Sequence, residues 1–253
     1  MHPDSTHGIL IRTYEADAER LGFCLASIKR YCEGFSDVVV VCQEKAAGVI
    51  GPVVAAAGIG RMAFCPAYEN DYLGQQITKL RATDYLTTDY IFHVDSDCVF
   101  FARFTPDAYF VDGRPVMYFK DYDWFYRQRQ LNPWQFITSR LLQRQVDYEF
   151  MAMLPLIYPR QMYLNLEAWF VAANGFAYEG IEERLTVPNQ FSEFNLMGAF
   201  SYYHGGGFYH TFLDWGDNHI ERYMKQYLVD DWNDRAISEG EYAEIQRAIG
   251  VEP

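Results

Sequence analysis

Asp95 and Asp97 directly follow an apolar run of β-forming residues at positions 90–94, and this feature constrains the fold most. Such a run predicts a buried strand, and open α/β sheets bind ligands at the carboxyl ends of their strands. Because strand residues two apart point to the same side, the two carboxylates converge if the extended geometry continues to Asp97. Two hard oxygen ligands in such a crevice suit Mg2+ or Mn2+. The alternative is a strand followed by an Asx-type turn, since Asp and Ser favour turns.

The composition predicts one large domain with a substantial core and argues against a nucleic-acid partner. The chain has 253 residues, half of them hydrophobic, and a formal net charge of −13, whereas binding to a phosphate backbone usually needs a basic face. Its five cysteines are scattered without a CxxC pair, which favours reduced thiols over disulfides or zinc. The sequence has no basic-then-apolar start and no apolar run near the ~18 residues of a membrane span. We therefore expect a soluble, cytoplasmic protein.

Strand and helix patterns alternate through the first hundred residues. Buried-strand patterns occupy residues 8–13, 37–42 and 61–65 and the run before Asp95, and helical spacing occupies residues 21–31, 45–58 and 73–86. This alternation predicts right-handed βαβ units. The predicted fold class is therefore α/β and Rossmann-like, with a central, mostly parallel sheet flanked by helices.

The pattern changes beyond residue 101. Residues 115–120 predict a strand, residues 121–134 have no clean period, and residues 135–148 and 159–173 predict helices. A shorter helix is predicted over residues 193–203, with Ser192 as its N-cap. The region from Asp217 onwards is acidic and helical in composition, and it carries no recognisable catalytic constellation.

The order of the segments resembles the nucleotide-sugar-binding half of GT-A glycosyltransferases. A strand, Arg12-Thr13-Tyr14, a helix, a valine-rich strand, a helix, a strand and a helix precede Asp95-Ser96-Asp97. Residues 72–80 (YLGQQITKL) and 191–198 (FSEFNLMG) are similar to segments of an uncharacterised bacterial group of such enzymes. The resemblance covers roughly residues 9–210.

This resemblance implies a metal-dependent transferase with a single GT-A-like domain over residues 1–253. Residues 8–101 would form the nucleotide-sugar-binding half, residues 102–216 the acceptor-binding half, and residues 217–253 an acidic helical tail. In this fold the DxD motif binds a divalent cation that holds the diphosphate of the sugar donor. The implied partners are a nucleotide-sugar donor and a glycan acceptor, in the assembly of a bacterial surface polysaccharide.

Four residues are the candidates for donor binding. The first βα turn is where a nucleotide would approach the sheet, so Thr13 is a candidate donor to the base or ribose and Tyr14 a candidate for stacking on the base, while Asp95 belongs to the DxD motif. Lys79 is a candidate phosphate contact, because a diphosphate leaving group accumulates charge that one metal ion only partly neutralises. The alternatives are an ordinary loop at Thr13 and Tyr14, and a solvated lysine on a helix face at Lys79.

The metal ligands implied by the resemblance are Asp95, Asp97 and one histidine from the C-terminal part of the domain. His204 and His210 flank three glycines, and imidazole is a reasonable ligand for Mn2+. We prefer His210, because an alternating strand would fix its direction. The alternative is that the glycines form a turn and both histidines are structural.

Glu193 is the candidate general base on the acceptor side. In inverting GT-A enzymes a carboxylate at the start of a helix near the acceptor removes the proton of the attacking hydroxyl. The alternative is an ordinary first-turn glutamate at a helix start. Trp124, Tyr126 and Trp134 are candidates for stacking on an acceptor sugar, whereas core packing is favoured for Trp169.

Two other functions remain open from the residues alone. A phosphatase of the haloacid dehalogenase type also places Asp-x-Asp after an apolar strand, with Asp95 as nucleophile, Asp97 as acid/base and Asp230-Asp231 as a second metal pair. In that family the motif follows the first strand and continues with Gly-Thr, whereas here it continues with Cys98-Val99. The other alternative is a carbohydrate- or nucleotide-binding module without catalysis, against which the retention of acidic residues argues mildly.

Overall fold

The computed structural model of the protein describes residues 5–128, 134–151, 154–185, 190–217, 219–227 and 237–250. Its strands, in chain order, are β1 (His7–Arg12), β2 (Asp37–Gln43), β3 (Arg61–Cys65), β4 (Tyr90–His93), β5 (Cys98–Phe100), β6 (Phe110–Val111), β7 (Arg114–Asp121), β8 (Tyr148–Glu149), β9 (Leu156–Pro159), β10 (Thr211–Asp214) and β11 (Met224–Gln226). Its α-helices are α1 (Ala18–Tyr31), α2 (Ala47–Ala57), α3 (Asp71–Leu80), α4 (Tyr122–Arg127), α5 (Trp134–Leu141), α6 (Arg160–Asn174), α7 (Gly180–Arg184), α8 (Glu193–Tyr203) and α9 (Glu239–Ile249).

The central sheet has five strands in the order β3-β2-β1-β4-β9. The first four are parallel, and Ile9 in β1 lies between Val38 in β2 and Phe92 in β4. β9 adds to the edge antiparallel to β4, with Ile157 opposite Phe92. All six residues of β1 are buried, as in a strand covered on both faces. The predicted α/β class with a mostly parallel central sheet is confirmed.

The elements of the first hundred residues lie close to their predicted positions. α2 continues through Pro52 as one helix and ends at Ala57, and its C-cap Gly58 has a φ of +61°, in the region that favours glycine. α3 stops at Leu80, before the predicted end at residue 86, and a 3-10 turn over Ala82–Asp84 follows it. The apolar pattern continues past the helix because Leu86 is also buried in the core.

The second half departs further from the sequence-based expectations. The predicted strand at residues 115–120 lies within β7, which pairs with β6, β8 and β10. The helix predicted over residues 135–148 is wrong beyond Leu141: Gln143 has a φ of +52°, and Tyr148 pairs with Asp121. Leu142 and Val146, which follow the helix, are buried as well, so apolar spacing does not mark the end of the helix.

Several short elements have no counterpart in the prediction, among them α4 and β9. Residues 122–127 form α4 where the sequence has no clean period, and Asp121 caps this helix by accepting a hydrogen bond from the Asp123 amide. β9 precedes α6, and Pro159 is the N-cap of that helix, as its position predicts. A four-residue strand is too short to be separated by pattern from the helix that follows it.

The C-terminal region is only partly helical. β11 pairs antiparallel with β5, with Gln226 opposite Cys98, whereas the sequence predicted helix from Asp217 onwards. α9 confirms the helical prediction for its own residues and begins with a capping box between Ser238 and Glu241. Within the described ranges, none of the helices has the length and apolar character required to cross a bilayer.

Candidate functional site

The two aspartates at the carboxyl end of β4 lie in a turn and not in an extended strand. β4 ends at His93, and the Asp95 carbonyl accepts a hydrogen bond of 3.1 Å from the Cys98 amide. The condition that extended geometry continues to Asp97 is therefore not met, and the chain forms the turn that Asp and Ser favour. The carboxylates still interact, since burial and then the charge of Asp95 raise the pKa of Asp97.

Lys79 connects the end of β4 with the start of α8. Its side chain leaves the last turn of α3, where the residue is 4% exposed, and its Nζ lies 2.9 Å from Asp95 Oδ1 and 3.2 Å from Glu193 Oε1. Nζ also lies 4.6 Å from the centroid of the Phe194 ring, in a cation–π contact. The alternative of a solvated lysine is wrong, because this turn of α3 is buried.

One positive charge is thus shared between two carboxylates. Burial alone would lower the pKa of Lys79, but the charges of Asp95 and then Glu193 outweigh it and raise that pKa above its ordinary value. For Glu193, which is 3% exposed, burial raises the pKa and the attraction of Lys79 opposes this only in part. A buried carboxylate with raised proton affinity is the kind of group that serves as a general base.

The position of Glu193 is fixed by the local structure at the start of α8. Ser192 is the N-cap as predicted, and its Oγ accepts a hydrogen bond of 3.2 Å from the Asn195 amide. Gln76 on α3 donates a hydrogen bond of 2.8 Å to the Phe191 carbonyl. The side chain of Glu193 therefore turns inward onto Lys79, and it is not a solvent-facing glutamate of a first helical turn.

Asp97 is half-buried and contacts the C-terminal region. Gln226 Nε2 lies 3.2 Å from its Oδ1 and 3.4 Å from its Oδ2, and the Tyr227 amide donates a hydrogen bond of 2.9 Å to its carbonyl. Burial, the charge of Asp95 and the charge of Asp17 raise the pKa of Asp97 to about 7, against the hydrogen bond from Gln226. A carboxylate among like charges is one that a bound cation would stabilise.

The loop after β1 reaches the same turn. Ser96 Oγ donates a hydrogen bond of 3.0 Å to Asp17 Oδ2. Thr13 is 1% exposed, and its amide donates to the Val41 carbonyl at 3.0 Å. Tyr14 is half-buried and has extended backbone angles. Both predicted nucleotide contacts therefore lie at the carboxyl end of β1, the strand next to β4.

A buried polar network fixes α3 to this edge of the sheet. Arg12 at the end of β1 pairs with Asp71 at the start of α3. Gln43 at the end of β2 donates a hydrogen bond of 2.6 Å to the same Asp71 oxygen. Lys79 lies in the last turn of the same helix, whose first turn this network attaches to the sheet.

His210 is a core residue in the structure. It is 1% exposed, its Nδ1 lies 2.5 Å from Ser201 Oγ, and its Nε2 lies 2.7 Å from the Ile157 carbonyl oxygen. Nε2 must carry the proton, because a carbonyl oxygen only accepts. Since both nitrogens are engaged within the protein, the geometry contradicts the choice of His210 as a metal ligand.

His204 lies at the opposite end of α8 from Glu193, about 16 Å along an 11-residue helix. Its ring stacks on Phe200 with a centroid distance of 5.1 Å and packs on Trp169 at 4.6 Å. This placement does not bring His204 to the aspartates at the end of β4. The same contacts place Trp169 in side-chain packing, in line with the reading favoured for it.

The aromatic residues predicted to meet the acceptor lie on α4 and at the start of α5. Trp124 and Tyr126 are on α4, and Tyr126 is 47% exposed. Trp134 is the first residue of α5 and is half-buried. α4 is joined to α8 by a hydrogen bond of 3.4 Å from the Tyr122 hydroxyl to Asn195, two residues after the candidate base.

Sequence reasoning missed three residues that contact the site. Phe194 and Asp17 lie beside or near residues that were singled out, so a wider local search would have included them. Gln226 has no local signal, because only the pairing of β11 with β5 brings it to the aspartates. The pair Asp230-Asp231, considered for a phosphatase, lies outside the described residues.

Solved structures with similar folds include glycosyltransferases. The WbbM bifunctional glycosyltransferase matches at 17% identity and a TM-score of 0.29, over 41% of this chain and 20% of its own. Glucosyl-3-phosphoglycerate synthase from Mycobacterium tuberculosis, in complex with Mn2+, uridine diphosphate and glucosyl-3-phosphoglycerate, matches at 15% identity and a TM-score of 0.30, over 38% of this chain and 35% of its own. A mycobacterial protein matches at 17% identity and a TM-score of 0.30, over 38% and 32%.

These likenesses are partial, and the chain spans about a third or less of the length of the structures it matches. They do not assign an activity. No curated protein matches the chain. One family model, described as a family of unknown function (DUF6492), matches residues 6–202, well over half of the chain. The protein therefore belongs to the DUF6492 family.

Proposed function

We propose that the protein is a nucleotide-sugar-dependent glycosyltransferase that moves a sugar to a hydroxyl group of a glycan acceptor with inversion at the anomeric carbon. Asp95 and Asp97 hold a divalent cation, Lys79 faces the donor diphosphate, and Glu193 is the general base. The observation that carries the proposal is the placement of Lys79 Nζ at 2.9 Å from Asp95 and 3.2 Å from Glu193. This contact joins a candidate donor turn to a candidate base through one buried ammonium group.

The side chains at the DxD turn suit a hard divalent cation, Mn2+ or Mg2+. The charges of Asp95 and Asp17 raise the pKa of Asp97 after burial, so a cation here would relieve repulsion between carboxylates. In the described ranges no three His, Cys, Asp or Glu side chains are grouped to hold an ion by themselves. The remaining ligands would therefore be donor and water oxygens. When bound, such a cation supplies charge stabilisation for the departing nucleoside diphosphate.

Lys79 contributes a second, fixed positive charge on the donor side. An ammonium group has three N–H donors, and Asp95 and Glu193 accept from two of them in this arrangement. A buried cation that is already in place needs little reorganisation when negative charge develops on a leaving group nearby. Thr13 and Tyr14, at the end of the neighbouring strand, are the proposed contacts of the nucleoside.

Glu193 would take the proton of the acceptor hydroxyl. As the oxygen–hydrogen bond breaks, the hydroxyl oxygen forms a bond to the anomeric carbon, and the bond from that carbon to the diphosphate oxygen breaks with its electron pair. Burial of Glu193 favours its protonated form, which is the product of this step. Trp124, Tyr126 and Trp134 are the proposed platform for the acceptor sugar.

A thermal-shift screen of nucleoside diphosphates, each with and without Mn2+, tests this proposal. A ligand that binds only the folded state raises its melting temperature in a concentration-dependent way. We expect one nucleotide to give a shift that requires Mn2+. Sugar transfer from the matching nucleotide sugar then separates an enzyme from a binding module, and release of inorganic phosphate from phosphate esters would indicate the phosphatase instead.

A further inference from the structure

The C-terminal strand β11 contacts the candidate site, although no residue of this strand was a candidate from sequence. The match to the family model ends at residue 202. Beyond it, Gln226 Nε2 lies within hydrogen-bond distance of both Asp97 carboxylate oxygens, at 3.2 and 3.4 Å. The Tyr227 amide also binds the Asp97 carbonyl at 2.9 Å. The side chain and the backbone of Asp97 are therefore both attached to the end of β11.

β11 is itself firmly positioned. Its register with β5 places Gln226 opposite Cys98, the residue after Asp97. The buried guanidinium group of Arg20 on α1 donates a hydrogen bond of 2.9 Å to the Tyr227 carbonyl. Tyr227, the residue directly after β11, also packs with Ile245 of α9 in a small apolar cluster. The amide of Gln226 is thus presented to Asp97 by secondary structure and not by a loop.

The chemistry of the amide suits an outer partner of a metal ligand. A glutamine side chain donates to a carboxylate without bringing a positive charge, so the carboxylate keeps its attraction for a cation. The two weak hydrogen bonds from Gln226 Nε2 also restrict rotation of the Asp97 carboxylate about its Cβ–Cγ bond.

We infer that Gln226 is a positioning residue for the donor site, holding the Asp97 carboxylate in the orientation in which it binds a divalent cation. This inference rests on the proposed function, because it assumes that Asp97 is a metal ligand. It extends the site to a region that neither the DxD motif nor the family match includes. Loss of a partner of this kind typically weakens metal affinity by about 10- to 100-fold.

The test compares Gln226→Met with Lys225→Met in the full chain. Methionine has the length of glutamine but no amide donor. Lys225 is the preceding residue of β11, and its ammonium group pairs with Glu244, away from Asp97. Binding of Mn2+ alone, and of Mn2+ with uridine diphosphate, is measured by calorimetry and by the electron paramagnetic resonance signal of free Mn2+, together with the melting temperature of each protein.

We expect Gln226→Met to bind Mn2+ about 10- to 100-fold more weakly than wild type at a similar melting temperature, while Lys225→Met binds as wild type does. If Gln226→Met is poorly folded, Gln226→Asn replaces it; its amide is one methylene shorter and lies farther from Asp97, so unchanged Mn2+ affinity in that variant would refute the inference. If wild type and a folded Gln226→Met protein bind Mn2+ with equal affinity, the role of Gln226 is refuted and the proposed function is not affected. If wild type itself binds no Mn2+, with or without nucleotide, the proposed function fails together with this inference.

Discussion

Lys79 Nζ and Glu193 Oε1 lie 3.2 Å apart, although the two residues belong to helices on opposite sides of the DxD turn in the sequence. Both side chains are at most 5% exposed, so the contact is shielded from solvent. Asp95 competes for the same ammonium group at 2.9 Å. The three residues form a cluster with one positive and two negative charges, in which Lys79 and Glu193 are buried and the Asp95 side chain is 28% exposed. The charge of each residue is therefore stabilised or opposed by the other two.

Lys79→Met should destabilise the protein strongly, because it leaves two carboxylates without their shared counterion. Removal of one partner of a buried ion pair typically costs about 3–5 kcal/mol of unfolding free energy. Urea unfolding at neutral pH measures the loss. Lys225→Met, which removes an ion pair that is about half exposed, is the matched control and should cost about 0–1 kcal/mol. Similar losses in the two variants would mean that the Lys79 cluster is not an interacting unit.

Glu193→Gln should reduce turnover by about 10²–10⁴, the usual contribution of a positioned general base, with nucleotide affinity near wild type. The amide keeps the volume of the side chain and can still accept from Lys79, so the fold should persist. Steady-state kinetics with nucleotide titrations checks both quantities, and Glu183→Gln, 80% exposed on α7, is the control. Loss of donor binding in Glu193→Gln would instead place this residue on the donor side.

Local signals were sufficient for several parts of the site. The apolar run before Asp95 marks β4, and Ser192 before an apolar segment marks the start of α8. Each of these depends on residues within a few positions of one another, where propensity and capping decide the structure. Local signals therefore predict the strand before the aspartate motif and the helix that begins at Glu193, whereas the role proposed for Glu193 comes from the resemblance to GT-A enzymes.

Contacts between distant segments could not be predicted in this way. The hydrogen bond that the Gln226 side chain donates to Asp97 depends on the pairing of β11 with β5. Nothing in the sequence near Gln226 indicates that pairing. The choice of His210 as a metal ligand failed for a related reason. Its partners, Ser201 and the Ile157 carbonyl, come from α8 and β9, and β9 was itself not predicted. A histidine in a sequence does not reveal whether its nitrogens are already engaged.

Asp97→Asn should abolish the Mn2+-dependent part of nucleotide binding. The variant removes a charged oxygen ligand, and it also removes one of several like charges at the turn, so the metal-free protein should not become less stable. Calorimetric titration of nucleotide with Mn2+, together with the melting temperature, measures both effects. Asp214→Asn, at an exposed ion pair with Lys120, serves as the control. Unchanged affinity in a folded Asp97→Asn protein would exclude this residue from the metal site.

Tyr126→Ala should raise the KM for the acceptor by about 2- to 10-fold and leave the KM for the donor unchanged, since an aromatic contact is worth about 0.5–1.5 kcal/mol. The ring is 47% exposed on α4, so its loss should cost little stability. Phe64→Ala, on an edge strand of the central sheet and 50% exposed, is the control for a general loss of surface aromatics. A change in the donor KM alone would contradict the placement of the acceptor at α4.

His210→Gln should change the pH dependence of stability and leave Mn2+ affinity unchanged. Burial lowers the pKa of His210 from its ordinary value of 6.5 to about 4 in the folded protein, so the unfolded chain binds more protons between these values. The stability that neutral His210 contributes is therefore fully present above pH about 6.5. It is lost as the pH falls towards 4, by up to about 3 kcal/mol of unfolding free energy.

Glutamine does not titrate in this range. The variant should be less stable than wild type at pH 7, because it bonds imperfectly to Ser201 and Ile157, but its unfolding free energy should fall less steeply on acidification. Urea unfolding of both proteins from pH 7 to pH 4 gives the two slopes. Parallel slopes would show that His210 is not held neutral in the core, and a loss of Mn2+ affinity would return it to the metal site.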